Sequence, residues 1–124
     1  MTDAIGALIA AEALPPGYRD IVEGYWAPLA DRIAGASRRP MVVGINGAQG
    51  SGKSTCCRFL EVLLAERGLY AVTLSLDDLY LTKAERQELA RSLHPLFATR
   101  GVPGTHDVGL GNAVIDAVMA GRPF

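Results

Sequence analysis

The sequence predicts an α/β fold: a parallel β-sheet with flanking helices, preceded by N-terminal helices. Three observations carry this. Met41-Val42-Val43-Gly44-Ile45 is short, β-branched and apolar, as a strand buried on both faces should be. Residues 53–67 read as a helix, with Phe59, Leu60, Leu63 and Leu64 available for its buried side. Residues 69–76 form a second, largely apolar strand candidate, and strand, loop, helix, strand is a βαβ unit, whose crossover makes the strands parallel.

The elements follow in order. Ala4, Ile5, Leu8, Ile9 and Ala11 suit a short helix packed on something, and Leu14-Pro15-Pro16-Gly17 breaks it. Residues 18–35 read as helical, with Ile21, Tyr25, Leu29 and Ile33 every fourth residue and Val22 and Trp26 beside them. Pro28 removes one helical hydrogen bond, so a kink or two shorter helices is expected there. At this spacing the Tyr/Trp stripe reads as core packing rather than a ligand box. Residues 37–40 are a basic, polar linker. Gly68 stands where a helix C-terminal cap belongs. Thr82-Lys83-Ala84-Glu85 is a capping box that opens a helix to about Leu93, since Pro95 disfavours helix at His94. Residues 100–105 are loop by composition. Asp107 can cap a last helix through Leu110, Val114, Ala117 and Val118, ended by Gly121 and Pro123.

Composition narrows the function. The chain has 124 residues, with 49% hydrophobic and 20% charged, which excludes a disordered polymer. Twelve Lys+Arg against thirteen Asp+Glu give a net charge of −1, which argues against a general nucleic-acid binder. The length allows one domain and is short for an α/β enzyme. The N-terminus has no basic n-region, and its apolar stretch of about ten residues falls below the roughly 20 that span a bilayer. Cys56 and Cys57 are adjacent, with no other cysteine in the chain. They read as reduced thiols on a helix of a cytoplasmic protein, not as a disulfide or a zinc site.

Gly47-Ala48-Gln49-Gly50-Ser51-Gly52-Lys53-Ser54 fits G-x-x-x-x-G-K-[ST], between an apolar run and a helix. The expected architecture is therefore a P-loop NTPase-type parallel sheet. Gly47, Gly50 and Gly52 free the backbone, and successive N–H groups can then cradle phosphate oxygens. The helix start adds its positive end. Lys53 supplies a cation to the β/γ-phosphates, and Ser54 offers a hydroxyl to Mg²⁺. Residues 47–55, Thr55 included, are the candidate nucleotide-binding set. No Asn/Thr-Lys-x-Asp motif for guanine and no LSGGQ-like signature occurs, which tells against a GTPase and an ABC transporter subunit.

Asp77 and Asp78 follow the second strand candidate, and ligands gather at the carboxyl ends of parallel strands. Asp77 there can bind Mg²⁺ through water or take the proton of an acceptor hydroxyl; the bland reading is an acidic turn or cap. His106-Asp107 could contact an acceptor or form a surface or helix-cap pair. Arg100 could clamp a carboxylate or phosphate, or be solvated.

Taken together, Val43-Gly44-Ile45-Asn46-Gly47-Ala48-Gln49-Gly50-Ser51-Gly52-Lys53-Ser54-Thr55, Ser75-Leu76-Asp77-Asp78-Leu79-Tyr80-Leu81-Thr82 and Arg100-Gly101-Val102-Pro103-Gly104-Thr105-His106-Asp107 resemble the D-glycerate 3-kinase type of the phosphoribulokinase/uridine kinase family. The first block is shared by many P-loop kinases, the second is narrower, and the third is the most specific. The resemblance implies a cytoplasmic enzyme that moves the γ-phosphoryl of ATP, with Mg²⁺, to the 3-hydroxyl of D-glycerate, giving 3-phosphoglycerate. Lys53 and Asp77 match catalytic positions, and Ser54 and Asp77 metal positions. Asp78, Tyr80, Arg100, His106 and Asp107 match the acceptor side.

Family members continue well past residue 124, so further strands, basic lid residues and much of the base site are expected outside this sequence. The sheet is expected to be incomplete, with two strands visible against the five or six usual. Residues 1–39 then form an N-terminal helical segment, and 40–124 the N-terminal part of a kinase domain. Three alternatives stay open: a kinase for a uridine- or pantothenate-like acceptor, a truncated non-catalytic nucleotide-binding module, and a remnant that binds nothing. The expected partner is a small molecule, with no nucleic acid and no membrane; a homo-oligomer is left open.

Overall fold

A computed structural model describes residues 3–36, 40–101 and 104–121. Parts of the expected linker and of the 100–105 loop, and Pro123, lie outside these residues. The chain divides into two compact units, Met1–Arg39 with Val43–Thr73, and Pro40–Val42 with Leu74–Phe124.

The first unit is built of helices α1 (Ala4–Ala11), α2 (Tyr18–Ile21), α3 (Ala27–Ala34) and α4 (Lys53–Glu66). Its core joins Ile5 and Ile9 of α1 to Val22, Ala30 of α3, and Cys56, Phe59, Leu60, Leu63 and Leu64 of α4. Phe59 and Ala30 are fully buried. The sequence marks both ends of α4. Gly52, at φ 93°, turns the chain into the helix. Gly68, at φ 77°, turns it out, as the Gly68 N–H donates to the Ala65 carbonyl (3.0 Å) and the Leu69 N–H to the Leu64 carbonyl (2.9 Å). Leu69 then packs back on the core. Ala13 occupies the same left-handed position after α1, at φ 53° without glycine's freedom. Ion pairs join the periphery: Arg19 to Asp3 (2.8 Å), Arg58 to Glu12 (3.0 Å) and Arg67 to Asp31 (2.6 Å). The Arg19 guanidinium and the Gly6 N–H hold the Asp3 carboxyl below its usual range, and burial pushes the Cys56 thiol up.

The interruption expected around Pro28 is a π-helical turn, Val22–Trp26, between α2 and α3. The Ala27 N–H reaches back to the Val22 carbonyl, so the chain widens just ahead of the proline. The widened turn shifts the buried stripe. Val22 and Ala30 face the core, whereas Tyr25 is 69% exposed and Ile21 39%. Trp26 donates its indole N–H to the Tyr18 hydroxyl (3.1 Å), and the Tyr18 ring lies 5.2 Å from that of Phe59. Trp26 thus belongs to the packing, as the stripe suggested, but Tyr25 does not.

The second unit holds a 3₁₀ turn at Leu76–Leu79, helix α5 (Lys83–Ser92), a 3₁₀ turn at Pro95–Ala98 and helix α6 (Val108–Met119). Thr82 and Glu85 form the expected capping box on α5, and Asp107 caps α6 by accepting the Leu110 N–H (2.9 Å). His94 begins the second 3₁₀ turn, its Nδ1 accepting the Leu96 N–H (3.2 Å). Leu79 meets α6 at Gly111, where an added Cβ would stand 3.0 Å from Leu79 Cδ1.

The parallel sheet is the expectation the structure overturns. Among the described residues no strand forms over 41–45 or 69–76, and the ladder-type pairing seen is an isolated antiparallel bridge between Tyr80 and His106. A strand is stable only beside another strand, and parallel pairing further needs cover on both faces. Here Leu69 and Ala71 turn toward the helical core, but Tyr70 is 93% exposed, Val72 54% and Leu76 70%. Val42, Val43 and Ile45 are exposed as well. The apolar content that marks these runs as strands is present; the burial that would stabilise a ladder is not. The architecture is helical, and neither apolar run forms a strand among the described residues.

Candidate functional site

Each unit carries one group of the residues singled out above. In the first, residues 46–52 lead from the apolar run into α4. The Ser51 N–H donates to the Ala48 carbonyl (3.0 Å), closing a turn over Ala48, Gln49 and Gly50. Gly50 and Gly52 have left-handed backbones, at φ 77° and 93°, that side chains rarely allow. Gly47 is required for a different reason: a Cβ there would stand 2.8 Å from Ser51 Oγ and 3.2 Å from Lys53 Cγ. The Lys53 stem therefore folds back over the start of the loop. Lys53 and Ser54 are exposed, and Thr55 is half-buried.

Among the described residues no side chain caps the first turn of α4. The first N–H groups of a helix have no carbonyl partner within it, and they carry its positive end. Three glycines, an uncapped helix start and a lysine folded over the loop fit a phosphate group, and the exposed Ser54 hydroxyl fits a hard cation beside it. A cavity of about 380 Å³ elsewhere in this unit is lined by Asp3, Arg19, Glu23 and Arg67, among others, and includes no loop residue.

In the second unit, Asp77 and Asp78 open the 3₁₀ turn and are exposed. Ser75 Oγ accepts the Asp77 N–H (3.2 Å), and the Asp78 carboxylate accepts the Ser75 N–H (3.3 Å). Asp78 is thus engaged in its own turn, while the Asp77 carboxylate stands on an exposed surface. Four residues downstream come together. The Tyr80 and His106 rings stack with centroids 4.2 Å apart and planes 23° from parallel. The Arg100 guanidinium lies 5.3 Å from the Tyr80 ring centroid. Asp107 follows His106 directly. The backbone fixes this meeting, since the Leu81 N–H donates to the Thr105 carbonyl (2.8 Å) and the Asp107 N–H to the Leu79 carbonyl (2.5 Å). A guanidinium held over an aromatic ring beside an imidazole can receive a small anion.

Neither Thr105 nor Arg86, both buried in this unit, is among the candidate site residues that the sequence offers. For Arg86 a signal exists. It falls three and four residues before Leu89 and Ala90, on the less exposed face of α5.

Two proteins of known name resemble this chain. The first class they define is kinases. The chain is 47% identical over 85 residues to the uncharacterized kinase mug58 of Schizosaccharomyces pombe, an alignment covering 67% of this chain and 31% of that protein. More particularly, it is 37% identical over 82 residues to the chloroplastic D-glycerate 3-kinase of Arabidopsis thaliana, covering 64% of this chain and 18% of that protein. The resemblance to the D-glycerate 3-kinase type read from the motifs is therefore borne out, over a chain that spans less than a third of either relative. No family model and no solved structure matches. No helix among the described residues is long and apolar enough to cross a membrane.

Proposed function

We propose that this chain carries the phosphate-binding and acceptor-side parts of an ATP-dependent small-molecule kinase acting on D-glycerate. The observation that carries the reading is the loop at the start of α4, where Gly47 leaves room for the Lys53 stem and the first turn is uncapped. The two named kinases support the class, and the D-glycerate 3-kinase supports the acceptor.

ATP with Mg²⁺, when bound, supplies the γ-phosphoryl group and neutralises part of its charge. The loop N–H groups of residues 47–55 and the Lys53 ammonium bind and orient the phosphates. The Ser54 hydroxyl and the Asp77 carboxylate are the groups for the metal. Asp77 also accepts the proton of the acceptor hydroxyl, a role open to an exposed carboxylate with no cation of the protein paired to it among the described residues. Arg100, with Tyr80 and His106, receives the acceptor carboxylate; Asp78 and Asp107 shape its surroundings through the turns they cap.

Titration with Mg-ATP followed calorimetrically, then ADP release with D-glycerate, tests this. Lys53→Met is expected to weaken Mg-ATP binding by about tenfold or more, the scale of a lost charge-assisted contact. An unchanged affinity would remove the loop from the reading. A second reading, nucleotide binding without turnover, is favoured by the exposed apolar runs at 41–45 and 70–76. Saturable Mg-ATP binding with no acceptor-dependent ADP release would select it.

A further inference from the structure

Arg86 is 9% exposed. Burying a guanidinium is costly unless it is paired and hydrogen-bonded. Among the described residues no carboxylate lies within ion-pair distance of it, and its Nε is buried without a hydrogen-bond partner. An unbranched apolar side chain such as methionine would fill a similar volume without that penalty. What Arg86 adds is one bond: Nη1 donates to the Leu81 carbonyl at 2.6 Å.

That bond completes a set. The Leu79 carbonyl accepts the Asp107 N–H, and the Leu81 N–H donates to the Thr105 carbonyl. The Leu81 carbonyl is taken by Arg86. The two peptide groups flanking Tyr80 are therefore tied by backbone, and the next one, between Leu81 and Thr82, by the Arg86 side chain. Tyr80 is the residue whose ring stacks on His106 and lies beside the Arg100 guanidinium. An isolated bridge has no neighbouring ladder to hold its register, so a third tie at its end fixes the ring pair.

We propose that Arg86 is a positioning residue for the acceptor-side cluster: its bond to the Leu81 carbonyl holds the Tyr80–His106 bridge, and with it the stacked rings beside Arg100. The consequence for acceptor binding rests on the kinase reading above; the positioning does not.

Nuclear magnetic resonance on the full chain tests it. The His106 ring protons, stacked on Tyr80, are expected to carry an upfield ring-current shift. Arg86→Met keeps the length and removes the donor, and is expected to abolish that shift while far-ultraviolet circular dichroism keeps its helical signal. Arg86→Lys retains one donor and is expected to keep part of the shift; Gln87→Ala, an exposed neighbour, to keep all of it. A folded Arg86→Met protein with the wild-type His106 shift overturns the proposal. Should Arg86→Met fail to fold, the wild-type guanidinium decides. Separate, slowly exchanging Nη protons support a fixed bond, and rapidly averaged ones overturn it. D-Glycerate titrated into both proteins separates this proposal from the kinase reading. A lost stack in Arg86→Met with no D-glycerate binding to the wild type sustains the positioning role and sinks the acceptor. A retained stack with D-glycerate binding does the reverse.

Discussion

At Gly47 a missing methyl group decides the shape of the loop. The Ser51 hydroxyl and the Lys53 stem occupy the space a Cβ would need. Gly47→Ala must rotate Ser51 and push the Lys53 stem aside, because atoms 2.8 and 3.2 Å from a new carbon are inside normal contact. We expect Gly47→Ala to fold as the wild type does and to bind Mg-ATP several-fold more weakly, measured by calorimetry. Adding Ser51→Ala should return part of that affinity, since it removes the nearer obstacle. A Gly47→Ala protein with wild-type affinity would show that the Lys53 position does not matter for the nucleotide. The spacing of the motif identifies Gly47 in the sequence, for the loop's requirements are local. Arg86 is harder to see there, because an arginine on a polar helix reads as solvated until the neighbouring segment is placed against it.

Helices whose ends are written in their own residues are legible; segments that need a distant partner are not. The Thr82–Glu85 capping box, the Asp107 cap and the glycine stop after α4 act within a few residues, and each is found where the sequence puts it. The π-helical turn before Pro28 breaks the 3.6-residue period, so the periodic reading assigns Tyr25 inward when it faces out. The two apolar runs carry strand composition, but composition cannot supply a lateral neighbour. The box on α5 offers a quantitative check. The Thr82 hydroxyl accepts the Glu85 N–H (3.1 Å), and Glu85 accepts the Thr82 N–H (3.2 Å). Losing such a cap costs about 1 kcal/mol. Thr82→Ala should therefore speed amide exchange in α5 about fivefold, with Thr82→Ser close to wild type. Equal rates in Thr82→Ala and wild type would mean that α5 is held by its packing on the Pro95–Ala98 turn instead.

Across the whole molecule, burial is uneven. The contiguous apolar core joins α1, α3 and α4 and ends at Leu64, with Leu69 and Ala71 laid against it. Among the described residues beyond 73 the buried side chains are Leu79, Arg86, Thr105 and Ala117, two of them polar. Local stability follows buried apolar contact, so opening free energies should differ along the chain. Hydrogen exchange read by mass spectrometry should find the amides around Phe59–Leu64 slowest, and those of α5 and α6 exchanging earlier. Phe59 anchors the slow region, being fully buried between Tyr18 and the rest of α4. Phe59→Ala is expected to cost about 3–5 kcal/mol. That is comparable to the whole stability of a small domain, about 5–15 kcal/mol. Its α4 amides should therefore lose most of their protection. The conservative Phe59→Leu should keep much of it, because Leu replaces most of the lost volume. If α6 proves as protected as α4 in the wild type, the uneven core does not govern stability, and the bridge, the caps and Arg86 contribute more to the second unit than their exposure suggests.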